Sequence, residues 1–401
     1  MSEWKKVKLG DVCERVTSGG TPKANITSYY NPPTVPWLKT KEVNYCRITE
    51  TENYISEEGL ANSSAKLIAP NSVIIAMYGQ GDTAGRVAIN KIPLTTNQAC
   101  CNLTIDESKA DYEFIYYQLC TLYKKMVSLK AGAAQPNLNA QIIKNLEIKL
   151  PSLLIQHRIA NILSRYDSLI ENYQKQIKLL EEAAQRLYKE WFVDLHFPGH
   201  ENTKIVDGVP EGWEKKKVNS IIELQSGFAF KSSTFDDNGA YKIVTIKNVK
   251  DGAFDGDNVS KIVAIPDKMP KHCILADGDI LLSLTGNVGR VCIVNGKNYL
   301  LNQRVAKLAT GFKAFTYCLF RSRDMFIEVN NLANGAAQQN VSPIKIGEMK
   351  ILLPNSKLLQ EFESIVFKSI ARIISLQSQI RLLTEARDRL LPKLMSGEIE
   401  I

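Results

Sequence analysis

PSLLIQHRIANILSRYDSLIENYQKQIKLLEEAAQRLYKEWF, residues 151–192, decides the fold. Its apolar residues fall at Ile155, Ile159, Ile162, Tyr166, Ile170, Tyr173, Ile177, Leu180, Ala184, Leu187 and Trp191. The steps alternate between four and three, with one extra residue near Tyr166, and no Gly or Pro interrupts 152–192. That spacing predicts a long amphipathic helix whose apolar stripe needs a partner. A second such stretch covers 355–391, with Leu359, Phe362, Val366, Ile370, Ile373, Leu376, Ile380, Leu383 and Leu390 on its stripe. Ser152 in the first, and Asn355 or Ser356 in the second, stand where N-caps belong, just after a proline. Each helix is the obvious partner of the other. At 1.5 Å per residue each would be roughly 60 Å long.

Working outward, the whole chain is one unit written twice. Gly132-Ala-Ala-Gln135-Pro-Asn137 returns as Gly335-Ala-Ala-Gln338-Gln-Asn340, 203 positions later, and that offset holds without a gap through both helical stretches. Upstream the match continues with small drifts. Trp4 answers Trp213, Ser18-Gly19 answers Ser226-Gly227, Lys41-Glu42-Val43 answers Lys247-Asn248-Val249, Gly85-Arg86-Val87 answers Gly289-Arg290-Val291, and Asn97-Gln98 answers Asn302-Gln303. Drift means insertions and deletions, which concentrate in surface loops. Each copy is therefore a loop-variable globular part followed by a gap-free tail.

The globular parts read as mixed α/β. NSVIIAMY, GRVAI, GDILLSL and GRVCIV suggest strands between Gly turns, and DYEFIYYQLCTLYKKMVSL and AFTYCLFRSRDMFIEVN read as equivalent helices. The expected organisation is a globular domain over 1–150, a helix over 151–195, a linker over 196–211, a second globular domain over 212–354 and a second helix over 355–401. If the helices pack as an antiparallel coiled coil, the architecture has pseudo-two-fold symmetry. Duplex DNA has local two-fold symmetry too, and two-headed readers exploit it through half-site spacing.

Bulk properties fit this reading and narrow it. The 401 residues are 44% hydrophobic and 23% charged, with a net charge of +8 and a pI near 8.9. A moderately basic chain suits an anionic partner. No apolar run approaches the length of a membrane span, and the start, MSEWKKVKLGD, lacks the apolar core of a signal peptide. The eight cysteines form no Cys-x-x-Cys, so buried reduced thiols and a cytoplasmic location are expected.

Several stretches together carry a family resemblance. They are the opening WKKVKLGD, the turn Gly19-Gly20-Thr21-Pro22, VPWLKTKEVN, Asn97-Gln98 after a strand, GAAQPN, and the helix from LPSLLIQHRIANIL to LLEEAAQRLYKEWF. In this order, and duplicated, they resemble the specificity subunits of type I restriction–modification systems over essentially the whole chain. The resemblance implies two target-recognition domains, each reading half of a bipartite asymmetric DNA site. It implies helices that act as spacer and docking surface for two adenine-N6 methyltransferase (M) subunits, with restriction (R) subunits joining them. It also implies that the subunit does no chemistry itself and needs no cofactor.

The residues agree with that last point. Asn31-Pro32-Pro33-Thr34 nearly matches an adenine-methyltransferase loop, but Thr34 replaces the aromatic that would stack on the base. Gly286-Asn287-Val288-Gly289-Arg290 is too short for a phosphate loop and lacks the Lys-Ser/Thr that follows one, so it reads as a turn between strands. His196 and His200 are separated by Pro198-Gly199 and make no metal-binding helix face. The competing readings are a fused methyltransferase and a repeat-built scaffold that binds only protein.

DNA contacts divide between phosphates, which fix position, and base edges, which carry sequence. If the two heads read different sequences, residues shared by both copies should be framework or backbone contacts. These are Arg86, Asn97, Gln98, Gln135, Asn137, Arg290, Asn302, Gln303, Gln338 and Asn340. Base readers belong in loops where the copies differ: 22–36, 39–47 and 78–84 in the first copy, 229–240, 247–258 and 285–288 in the second. The candidates are Lys39, Lys41, Tyr78, Gln80, Lys231, Lys247, Asn248 and Asn287. Tyr188, Trp191 and Phe192 near the end of the first helix either dock a methyltransferase subunit or pack on the neighbouring head.

Overall fold

The computed structural model describes residues 4–131, 137–257, 259–333 and 340–401. The chain divides into two compact units, Met1–Ser168 with Leu383–Ile401, and Leu169–Leu382. Both are mixed α/β.

In the first unit, β1 (Lys5–Lys8), β2 (Cys13–Ser18), β3 (Val35–Leu38), β4 (Arg47–Ile48) and β5 (Tyr54–Ile55) lead to the short helix α1 (Glu57–Ala61). There follow β6 (Val73–Ala76), β7 (Val87–Asn90), β8 (Thr95–Thr96), β9 (Cys100–Ile105), α2 (Tyr112–Thr121), α3 (Tyr123–Ala131), α4 (Ala140–Lys144) and β10 (Glu147–Leu150). The main sheet has the order β2-β9-β6-β7-β4, a smaller one β5-β3-β8, and β1 pairs with β10. The run Val73-Ile-Ile-Ala76 is apolar throughout because both of its faces are covered. Val73 and Ile75 enter the core beneath α2, and Ile74 and Ala76 enter a second core with Leu38 and Val43. The long helix α5 (Leu153–Phe192) begins in this unit.

The second unit repeats the plan. After the hairpin β11 (Ile205–Val206) and β12 (Val209–Pro210) come β13 (Glu214–Lys217), β14 (Glu223–Ser226), β15 (Tyr241–Val244), β16 (Ser260–Ile262), β17 (Ile274–Leu275), β18 (Ile280–Ser283), β19 (Val291–Ile293), β20 (Tyr299–Leu301) and β21 (Val305–Ala309). Then α6 (Lys313–Arg321), α7 (Arg323–Ala333), α8 (Pro343–Gly347) and β22 (Lys350–Leu353) lead into α9 (Ser356–Ser396). The sheet β14-β21-β18-β19 answers β2-β9-β6-β7, the parallel pair β15/β20 answers β3/β8, and β13/β22 answers β1/β10.

Each globular-part helix read as continuous from the sequence is in fact two. The stretch over 111–129 breaks at Leu122, and the stretch over 314–330 breaks at Ser322. Ser322 takes an extended backbone, and its hydroxyl accepts from the Met325 amide at 3.3 Å, so it caps α7 and ends α6 at once. The segment expected to be a linker is partly structural. Phe197 is buried in the second core, with its ring 5.0 Å from that of Trp213.

The long helices meet in both units. Ile159 and Leu163 of α5 share the first core with Leu394 and Met395 of α9, and Tyr188, Trp191 and Phe192 of α5 share the second with Leu359 and Phe362 of α9. Start packs with end in each case, so the helices run antiparallel. α9 continues past Pro392 and stops at Gly397, whose φ of +76° makes the left-handed C-terminal turn that glycine permits.

Candidate nucleic-acid interface

The shared residues build a frame. In the first unit the backbone of Gly19 lies so close to Asn97 that a Cβ there would overlap the Asn97 carbonyl. The Gly19 amide donates to the Cys100 carbonyl at 3.1 Å, and the Asn97 amide donates to Leu38 at 2.9 Å. In the second unit a Cβ on Gly227 would overlap the Asn302 carbonyl in the same way, and the Asn302 amide donates to Val244 at 3.1 Å. The Ser-Gly and Asn-Gln pairs therefore recur because they touch, and the glycine is required by the close approach. Gln98 is exposed and accepts from the Thr21 hydroxyl. Gln303 is exposed, and Asn302 accepts from the Arg304 amide at 3.3 Å.

The end of the central strand is framed in the same way in both units. Leu138 donates to the Met77 carbonyl, and Val341 donates to the Leu284 carbonyl. Asn340 accepts from the Thr285 hydroxyl at 2.9 Å, and Asn137 is exposed beside Leu138. Gln135 and Gln338 lie outside the described residues.

On this frame the first unit presents two clusters. In one, Lys39 is half-exposed, with its ammonium 4.9 Å from the ring centre of Trp37, whose indole donates to the Gly20 carbonyl. Thr21 and Gln98 belong to the same region. Lys41 is exposed and ion-paired with Glu52, which raises its pKa. In the other cluster, Arg86 donates to Asn44 at 2.9 Å and Asp82 at 2.6 Å, so it ties the 39–47 loop to the 78–84 loop. Tyr123 adds a bond from its hydroxyl to the Asp82 carbonyl and an edge-on contact with Tyr45. Gln80 is exposed at this loop, and Tyr78 is half-buried against the core. The Asn31–Thr34 stretch is exposed between Tyr30 and β3.

In the second unit Lys231, Lys247 and Asn287 are exposed. Asn287 sits in the turn joining β18 to β19, between Gly286 and Gly289, both at positive φ. Arg290 is half-exposed, and its backbone amide donates to Ser283. Asn248 is a correction. It is 1% exposed, its carbonyl oxygen accepts from the Thr245 amide and hydroxyl, and its amide donates to the Asp255 carbonyl. It folds its own loop and offers no edge to a base.

Tyr188, Trp191 and Phe192 are likewise settled by burial. All three lie in an aromatic cluster with Phe315, Phe362 and Trp213, and Phe192 stands 4.8 Å from Phe362. They pack on the neighbouring globular part and present no docking face. The Cys100, Cys101, Cys273, Cys292 and Cys318 thiols are also buried, and burial pushes Cys101 up to about 12.

Sequence reasoning missed two charged clusters. In the first unit Asp167, 5% exposed on α5, accepts from the Tyr117 hydroxyl at 2.5 Å, from Arg47 at 2.9 Å and from Arg387 of α9 at 2.7 Å. Arg47 also reaches Glu113, which Lys91 approaches at 3.2 Å. Burial opposes the Asp167 charge, but the bonds from Tyr117 and Arg387 and the Arg47 charge outweigh it and hold its carboxyl below the usual range. In the second unit Glu181 of α5 accepts from the Tyr317 hydroxyl at 2.6 Å and faces Arg321 at 3.8 Å, and Arg321 is ion-paired with Asp251. The one sequence signal was the extra residue near Tyr166, where Asp167 takes the buried position of the stripe.

Among the described residues no helix is long and apolar enough to cross a membrane, and no group of three or more His, Cys, Asp or Glu residues could hold a metal ion. The family model for the type I restriction modification DNA specificity domain matches residues 1–182 and again 210–383, and the chain belongs to that family. It is 29% identical to the type I restriction enzyme MjaIX specificity subunit of Methanocaldococcus jannaschii, over all of this chain and 94% of that one. It is 27% identical to the EcoR124I/EcoR124II specificity subunit of Escherichia coli over 49% of this chain and 48% of that one. Its fold is similar to the crystal structure of the type I restriction–modification S subunit from M. genitalium, with a TM-score of 0.61, 18% identity, and coverage of 98% of this chain and 96% of that one.

Proposed function

We propose that this chain is the DNA-recognition subunit of a type I restriction–modification complex, and that it reads a bipartite, asymmetric site with one half per unit. The observation that carries the reading is the double family match, laid over two copies of one frame whose exposed loops differ. Identical heads would read a palindrome, and divergent heads suit two unlike half-sites. Lys39, Lys41, Tyr78 and Gln80 supply contacts in the first unit, and Lys231, Lys247 and Asn287 in the second. Contacts to phosphates supply affinity, and contacts to base edges supply choice.

The subunit is non-catalytic and cytoplasmic in this reading, and its partners are duplex DNA, two adenine-N6 methyltransferase subunits and restriction subunits. The test is co-expression with a methyltransferase subunit of the same family, followed by methylome sequencing. A two-part adenine-methylated motif is expected. A methyltransferase that stays unselective with this chain bound would sink the reading.

A further inference from the structure

We infer that Asp167 and Glu181, both on α5, are positioning residues for the two readers, each seating the divergent loop of one unit through an arginine. The inference rests on the proposed reading of DNA by those loops. In the first unit the path is short. Asp167 accepts from Arg47, the residue that closes the 39–47 loop, and also from Arg387 and Tyr117. The Arg47 side chain is 6% exposed, so the loop's last residue is fixed inside the protein by charge.

In the second unit the path runs from Glu181 to Arg321 to Asp251, inside the 247–258 loop. The loop rests on that guanidinium: a Cβ on Gly252 would lie 2.9 Å from the Arg321 side chain, and the Gly252 amide donates to Val291 at 2.9 Å. A buried tyrosine hydroxyl orients the carboxylate in both cases, Tyr117 at 2.5 Å and Tyr317 at 2.6 Å.

The repeat does not explain this likeness. At the 203-residue offset Asp167 corresponds to Ile370 and Glu181 to Thr384. The two clusters are thus built from non-equivalent residues and arrive at the same arrangement: helix carboxylate, tyrosine, arginine, divergent loop. Breaking a buried ion pair frees the partner charge to move or leaves it uncompensated, so the loop it anchors shifts. Bases are read at hydrogen-bond distance, and a small shift of a reading loop costs discrimination first.

The experiment uses the full chain in complex with its methyltransferase subunits. A random duplex library first defines the two half-sites of the parent. Asp167→Asn, Glu181→Gln, Lys39→Ala and Lys247→Ala are then compared on duplexes carrying one wrong base pair in either half. Asp167→Asn is expected to lower discrimination in one half-site by about tenfold, within the range a single base contact is worth, and to leave the other within about twofold. Glu181→Gln should do the reverse, and Asp167→Glu should restore part of the loss.

Each variant is the folding control of the other, because a general defect weakens both half-sites together. Equal relaxation of both halves, or of neither while Lys39→Ala and Lys247→Ala each relax one, would overturn the positioning role alone. If the two lysine variants also leave both halves unchanged, the loops are not readers and the inference falls with that reading.

Discussion

The Tyr117 hydroxyl donates to the Asp167 carboxylate across 2.5 Å, and both groups are buried. The same carboxylate accepts from Arg47 and Arg387. Removing its charge takes one counter-ion from Arg47, which keeps Glu113, and one from Arg387, which keeps Asp388, so Asp167→Asn should cost up to about 3 kcal/mol, the scale for breaking a buried pair from one side. Thermal unfolding of the parent and the variant at pH 7 measures it.

The same group predicts an acid limb. Its folded pKa lies below the ordinary carboxylate value, about 3.9 for Asp. A depressed folded pKa contributes stability that is complete above the unfolded value and is lost as pH falls through the folded one. The parent should therefore lose stability faster than Asp167→Asn as pH drops below about 4, and the two should run parallel from pH 5 to 7. Parallel melting curves down to pH 3 would contradict the assignment.

The aromatic cluster at the end of α5 is core. Trp191→Ala should destabilise the chain by about 3–5 kcal/mol, as large-to-small changes of buried aromatics do, and Leu179→Ala, at a position 55% exposed, should cost little. Pull-down with a methyltransferase subunit separates this from docking. Trp191→Phe keeps the core largely filled and should bind as the parent does.

The glycine frame makes a matching prediction in each copy. Gly19→Ala and Gly227→Ala place a methyl group against a backbone carbonyl that cannot give way. Each should cost at least about 2 kcal/mol, at the scale of overpacking. A neutral effect in chemical denaturation would show that the two turns are looser than described.

Most of the fold was legible in the sequence because it is written in local apolar patterns. VIIA over 73–76 and ILLS over 280–283 are strands, and the four-and-three stripe of 151–192 is a helix of that length. The breaks at Leu122 and Ser322 were not legible, because no glycine or proline marks them. Asn248 misled because its exposed-looking composition hides three bonds within its own loop. The Asp167 cluster escaped because its partners lie 50, 120 and 220 positions away in the chain, and a charge on a helix is ordinarily read as solvated.

The most direct test of the central claim is a head exchange read by methylome sequencing. Residues 1–150 are replaced by the corresponding part of another family member, and the hybrid is expressed with its methyltransferase subunits. Two readers on one frame predict that one half of the methylated motif changes to that of the donor, with the other half and the spacing kept. A change in both halves, or in neither, would contradict the account.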